Sequence, residues 1–199
     1  GLAGPKVLEQ MIDCFMMLES PAASRFRTLR SLKNRFGAVN ELGVFAMTEH
    51  GMKEIPNPSA IFLEKGETSA PGSAITVIWE GSRPILIEIQ ALVDRSASQP
   101  KRVCLGLDHH RLSMHLAALN RHTGISLIDW DVFANVVGGV KISETAPDLA
   151  LLISIISSYQ NKLIPEDFVI FGEIGLTGEL RPVANGQERL REAQKHGFK

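Results

Sequence analysis

Residues 131–160 read DVFANVVGGVKISETAPDLALLISIISSYQ, and the pattern changes twice within them. The first half is strand-like and stops at the glycine pair Gly138-Gly139. Beyond Pro147 the run is apolar almost all round, which predicts a helix buried on every side. Pro147 suits the first helical turn, where an amide proton is not needed, and Asp148 favours the positive end of the helix dipole. A buried helix needs a sheet to pack on, so the chain reads as layered α and β structure.

The flanking sequence supplies that sheet. AITVIWEGSRPILIEIQAL (74–92) is predicted as a hairpin, with Gly81-Ser82 as a two-residue turn carrying Gly first. Ile85, Ile87, Ile89 and Ala91 alternate with Leu86, Glu88, Gln90 and Leu92. KRVCLG (101–106) is a further strand. In DHHRLSMHLAALNRHTG (108–124), Asp108 caps a helix, Leu112, Leu116 and Leu119 recur at helical spacing, and Gly124 ends it. DFVIFGEIGLTGELRPV (167–183) predicts two strands about a Thr-Gly turn, and GQERLREAQKHG (186–197) a final exposed helix. The fold class expected is α+β, in α/β layers.

Pro56-Asn57-Pro58 disfavours both helix and sheet pairing, so a boundary is placed there, between 1–57 and 58–199. The first part reads as strands. IDCFMMLES (12–20) is expected to be a buried one. RFRTLRSLKNRF (25–36) alternates by twos, with Phe26, Thr28, Leu32 and Phe36 on one face and Arg25, Arg27, Ser31, Lys33 and Arg35 on the other. ELGVFAMTEHGMKEI (41–55) adds strand and a turn at 49–51. A piece of this size makes a poor independent core and reads as the tail of a larger domain.

With a net charge of −1, the chain as a whole does not attract nucleic acid, so any such contact needs a local patch. Cys14 and Cys104 form neither CxxC nor a Cys/His pair at zinc spacing, which predicts no metal centre and no disulfide framework. No apolar run reaches the ~18 residues of a membrane span. GLAGPKVLEQ is no secretion signal, and EAQKHGFK stops as though a strand should follow, so a fragment of a longer chain is expected.

Five cations, Arg25, Arg27, Arg30, Lys33 and Arg35, fall within eleven residues and run into KNRFG (33–37). A Lys and an Arg two apart on a strand suit phosphate, the one as a point charge and the other as a fork. The competing reading is an exposed edge strand guarded by charge. The phosphate cradle GxxxxGK[ST] is absent from the sequence. His109, His110, His115 and His122 lack the i, i+4 spacing of a helical zinc pair and read as solvated. Ser143, Ser154, Ser157 and Lys141 read as structural or exposed rather than as a hydrolytic dyad. Lys101, Arg102, Arg111, Arg121 and Arg181 form either a DNA-facing patch or scattered surface charge, and the same holds for Arg189 and Arg191.

KNRFG, together with GPKVLEQMID, NELGVFAMTEHGMKEIPNPS, GLDHHRLSMHLAAL, DVFANVVGGV, FGEIGLTGELRPV and RLREAQKHGFK, resembles the bacterial RadA/Sms family of recombinational DNA repair over essentially the whole chain. KNRFG is that family's named motif. The resemblance implies the end of a RecA-like ATPase domain followed by a domain like that of Lon protease. The phosphate loop for ATP and Mg2+, and a zinc finger, would lie in sequence N-terminal to this stretch. By analogy with DnaB-type helicases, Lys33 and Arg35 would reach the ATP of a neighbouring subunit, with DNA contact in the pore of the ring as the second reading; Phe36 would turn into the core, and Gly37 would permit the turn. The positions of the Lon serine and lysine fall on Pro147 and Gln187, so peptide hydrolysis is not expected. The implied partners are single-stranded and duplex DNA, the RecA recombinase and five further copies in a hexameric ring, in the bacterial cytoplasm. A purely architectural ring domain and a Ser-Lys peptidase are the alternatives.

Overall fold

The computed structural model describes residues 3–20, 26–59, 63 and 69–199, with side chains from residue 7 onward. Arg25 lies outside the described residues. Two compact units are present: Gly1–Pro58 with Trp79–Arg83, and Ser59–Ile78 with Pro84–Lys199.

The first unit has a helix, α1 (Ala3–Met11), and four strands, β1 (Cys14–Glu19), β2 (Phe26–Asn34), β3 (Leu42–Thr48) and β4 (Gly51–Glu54). They form an antiparallel sheet in the order β1-β2-β3-β4. Two expectations change here. The strand at 12–20 forms, but at the sheet edge, leaving Met16 and Leu18 exposed rather than buried. The cation-bearing β2 is interior, between β1 and β3, so it is not an edge strand guarded by charge. The turn at 49–51 is held by Thr48 Oγ1, which accepts from the His50 amide at 3.2 Å and donates to the Gly51 carbonyl at 2.8 Å.

A second sheet, all of it but Trp79–Arg83 in the second unit, has the order β5-β6-β8-β7 and is made of β5 (Ser73–Glu80), β6 (Arg83–Arg95), β7 (Arg102–Leu105) and β8 (Trp130–Val136). β5 and β6 form the expected hairpin, with Gly81 at φ 60°, a backbone shape that glycine adopts without strain. β7 and β8 run parallel, and parallel neighbours need a crossover; α2 (His109–Thr123) supplies it. Asp108 caps α2 by accepting from the Arg111 amide at 3.0 Å, and Gly124 closes it at φ 76°.

The apolar helix, α3 (Asp148–Gln160), packs with α2 on one face of this sheet. Ile89, Ala91 and Val93 of β6 and Val132 and Ala134 of β8 meet Leu112 and Leu119 of α2 and Ala150, Leu151 and Ile155 of α3. Burying each of these larger side chains contributes about 1.5–3 kcal/mol, so this cluster dominates the unit's stability. The expected strands at 167–183 shrink to β9 (Glu173–Ile174) and β10 (Leu180–Arg181), while Val169 makes only an isolated parallel bridge to Ile75. The last helix, α4 (Gly186–Lys195), is not simply exposed: Arg189 and Ala193 are buried.

Candidate functional site

The KNRFG turn sits at the end of β2. The strand stops at Asn34, so Lys33 is the last cation on it and Arg35 lies in the turn. Asn34 makes the change of direction. Its Oδ1 accepts from the Phe36 amide at 3.1 Å and its Nδ2 donates to the Ala38 carbonyl at 3.3 Å, an Asx turn closed at both ends. Gly37 is not in the left-handed region; it leaves room instead, because a Cβ there would crowd Asn34 Nδ2 at 3.0 Å. Phe36 is 80% exposed, not in the core, since the strand alternation that would bury it has already ended. Lys33 Nζ donates to the Glu9 carbonyl at 2.7 Å, in the last turn of α1. Arg35 Nη1 lies 3.0 Å from Asp13 Oδ1, with side chains 71% and 56% exposed.

The second candidate lies where α3 begins. Pro147 is buried at the N-cap position, makes no side-chain cap bond, and offers no nucleophile. Asp148 carries the polar chemistry. Its carboxylate takes Arg111 Nε at 3.2 Å and Arg111 Nη2, accepts the Ile174 amide at 3.2 Å, and has His115 Nε2 at 3.4 Å. Burial alone would raise its pKa; the hydrogen bonds from His115 and Arg111 outweigh that and hold it below the usual carboxylate range. His115 is thus buried and not solvated, with Nδ1 unpartnered, while His109, His110 and His122 are exposed. The signal was present in the sequence: His115 follows Leu112 by three and precedes Leu119 by four, on the apolar stripe of α2.

Arg189 is the other group that pattern reading missed. It is 1% exposed, and its guanidinium forks onto Glu144 at 2.8 and 2.6 Å. It also donates to the carbonyls of Val77 at 2.7 Å and Ala184 at 2.9 Å. Gln187, two residues earlier on α4, is exposed. Ser154 Oγ donates back to the Leu151 carbonyl at 2.7 Å, Ser157 Oγ donates to the Lys162 carbonyl, and Ser143 and Lys141 are exposed. The hydroxyl protons of Ser154 and Ser157 are therefore used within the fold. Among the described residues no cluster of three His, Cys, Asp or Glu is placed to hold a metal.

The basic residues singled out for DNA divide into two kinds. Arg102 donates to the carbonyls of Lys101, Trp130 and Leu127, and Arg111 is spent on Asp148. Lys101 and Arg121 are exposed, and Arg181 is 64% exposed beside Glu179 at 3.2 Å.

These features define a class: an α+β protein in which a mixed sheet is covered by helices and an antiparallel four-stranded sheet precedes it in the sequence. No family model matches the chain. It is 63% identical over 199 residues to the DNA repair protein RadA of Haemophilus influenzae and 61% identical over 200 residues to that of Escherichia coli. Against RadA of Bacillus subtilis the identity is 46% over 200 residues. Each match takes in 100% of this chain and 43–44% of the relative, so the chain spans less than half the length of the curated relatives it matches. The chain belongs to the bacterial RadA family of DNA repair proteins.

Proposed function

We propose that this chain supplies two working parts of an ATP-driven DNA motor that processes recombination intermediates by branch migration. Residues 1–57 act as the end of a RecA-like ATPase domain. Residues 58–199 act as a Lon-like domain that forms a ring, hexameric in the assembled protein, and contacts DNA. The motor works in the bacterial cytoplasm with the RecA recombinase on single-stranded and duplex DNA. ATP and Mg2+ bind to a phosphate loop outside this sequence.

The observation that carries this reading is the exposed Arg35 guanidinium on a turn pinned by Asn34. A pair exposed on both sides, like Arg35 with Asp13, contributes only about 0–1 kcal/mol. Arg35 can therefore leave Asp13 for a stronger anion, the γ-phosphate held by the next subunit. A cation supplied in trans stabilises charge developing on the transferred phosphoryl group and is worth ~10³–10⁵ in rate in other NTPases. Lys33, whose Nζ donates to the Glu9 carbonyl rather than to a carboxylate, is the second cation proposed for the same phosphate. The test mixes full-length Arg35→Ala subunits with subunits carrying a disabled phosphate loop. Recovery of ATPase activity in the mixture supports action in trans; no recovery at any ratio rejects it.

The Lon-like half is read as a platform without peptidase chemistry, because Pro147 and Gln187 stand where a serine and a lysine would be needed. Lys101, Arg121 and Arg181 are the proposed phosphate contacts, with Arg102 and Arg111 shaping the surface from within. Their DNA affinity should fall steeply with salt as counterions are released. A purely architectural ring is the competing reading, and duplex titrations at two salt concentrations separate the two.

A further inference from the structure

We infer that Asp13 is a positioning residue that holds Arg35 back from phosphate, so that the strength of this hold sets the rate of the step in which Arg35 acts; this rests on the reading of Arg35 as a phosphate ligand. The register of β1 against β2 slips by one residue between Phe15 and Met16, so Leu32 has no partner across the pair. Phe15 and Met16 are neighbours on a strand and face opposite sides of the sheet. Their partners Lys33 and Ser31 therefore face opposite sides too, although unbroken alternation would put both on one. Bulges of this kind re-aim side chains and are common beside working sites. Arg35 follows Lys33, with its amide donating to the Asp13 carbonyl at 2.9 Å. Both cations are thus aimed at one short stretch of chain, 9–13, where α1 ends.

That stretch imitates a phosphate. The Glu9 carbonyl is among the last four of α1, which a helix leaves without an internal partner, and Lys33 Nζ fills the vacancy at 2.7 Å. The carbonyl end of a helix carries partial negative charge. Asp13, two residues beyond the helix, adds a carboxylate 3.0 Å from Arg35 Nη1. The hold is weak by construction. Asp13 meets one nitrogen of the fork, and an ion pair this exposed biases an equilibrium by no more than ~5-fold. A phosphate engages the fork at two nitrogens and displaces it. Until then only the fraction of molecules with Arg35 free is competent, and activity falls by that fraction. Losing the Asp13 carboxylate should therefore speed hydrolysis, the opposite of what a supporting residue does. The backbone bond from Arg35 to Asp13 survives any side-chain change, so the register of β1 on β2 is kept.

The test is single-turnover ATP hydrolysis by the full-length protein at saturating ATP, which reads the chemical step apart from product release. Asp13→Asn and Asp13→Ala are expected to raise the rate constant by up to ~5-fold. Asp13→Glu restores a carboxylate and should return the rate toward wild type. The gain should shrink as salt rises, because screening already loosens the pair in wild type. An unchanged or lower rate in both Asp13→Asn and Asp13→Ala overturns the proposal. So does a gain that Asp13→Glu shares in full or that salt leaves untouched, since either would mean a loosened loop and not a released charge. Arg35→Ala keeps the two readings apart. Hydrolysis at the wild-type rate in that variant removes the phosphate reading and this proposal with it, whereas impaired hydrolysis beside unaffected Asp13 variants removes this proposal alone. Subunit mixing decides only whose phosphate Arg35 meets, and a gain from Asp13→Asn stands under either answer.

Discussion

In the second unit, Arg189 is 1% exposed and both of its terminal nitrogens are closed by Glu144; in the first, Arg35 meets one oxygen of Asp13 and is 71% exposed. The same ionic chemistry has opposite consequences in the two settings. Taking a guanidinium out of water is so unfavourable that Arg189 is tolerable only with its partners in place, which makes it a fixed structural strut. Asp148 behaves likewise, enclosed by Arg111, His115 and the Ile174 amide. Arg35 gains little from Asp13 because water and salt already screen the pair. Its exchangeability is what a transient phosphate contact needs. The apolar surface follows the same division. The second unit buries Ile89, Val132 and Ile155 completely, whereas the first leaves Met11, Met16, Leu18 and Phe36 more than half exposed.

The sharpest test of this contrast is Arg189→Met. It should destabilise the second unit by about 3–5 kcal/mol in urea unfolding, because it removes the guanidinium that meets both Glu144 carboxylate oxygens. Adding Glu144→Gln should recover part of that loss; no recovery would mean that the Val77 and Ala184 carbonyls, and not the ion pair, set the effect. Next comes Asp148→Asn, expected to cost about 2–3 kcal/mol at neutral pH. Its pH signature has a definite sign. The folded-state pKa of Asp148 is lowered, so its contribution is present above the unfolded value of about 4 and disappears as pH falls through the folded value. Melting temperatures from pH 7 to pH 3 should therefore fall less steeply in Asp148→Asn than in wild type. Gly37→Ala should lower stability by about 1 kcal/mol, since the added methyl displaces the Asn34 amide. Smallest of all is Asp13→Asn, expected within about 1 kcal/mol of wild type in the same unfolding assay. A loss for Asp13→Asn as large as that for Asp148→Asn would erase the distinction between strut and exchangeable pair.

Much of the second unit was legible because its local signals agree. The Asp108 cap, the Gly124 stop and the apolar run after Pro147 each specify one local shape, and the fold of this unit satisfies all of them at once. The 167–183 region was read as strands because its composition suits them, yet most of it pairs only through an isolated bridge. Strand formation depends on a partner edge being free, which periodicity cannot report. In the candidate sites, KNRFG was visible as a motif, but the destination of each side chain was not. Alternation carried through residue 36 would bury Phe36; an Asn side chain that closes the loop two residues earlier turns it outward.

What the amino-acid sequence determined by itself was local: caps, turns, the hairpin and the wholly apolar helix. These follow from backbone sterics and from short-range periodicity, which act within a few residues. Tertiary structure alone decided which charges are buried. Glu144 and Arg189 are 45 residues apart, and Arg111 and Asp148 are 37 apart, so no window of sequence contains both partners. Desolvation is a property of everything packed around a group, and only the folded chain brings that surrounding together.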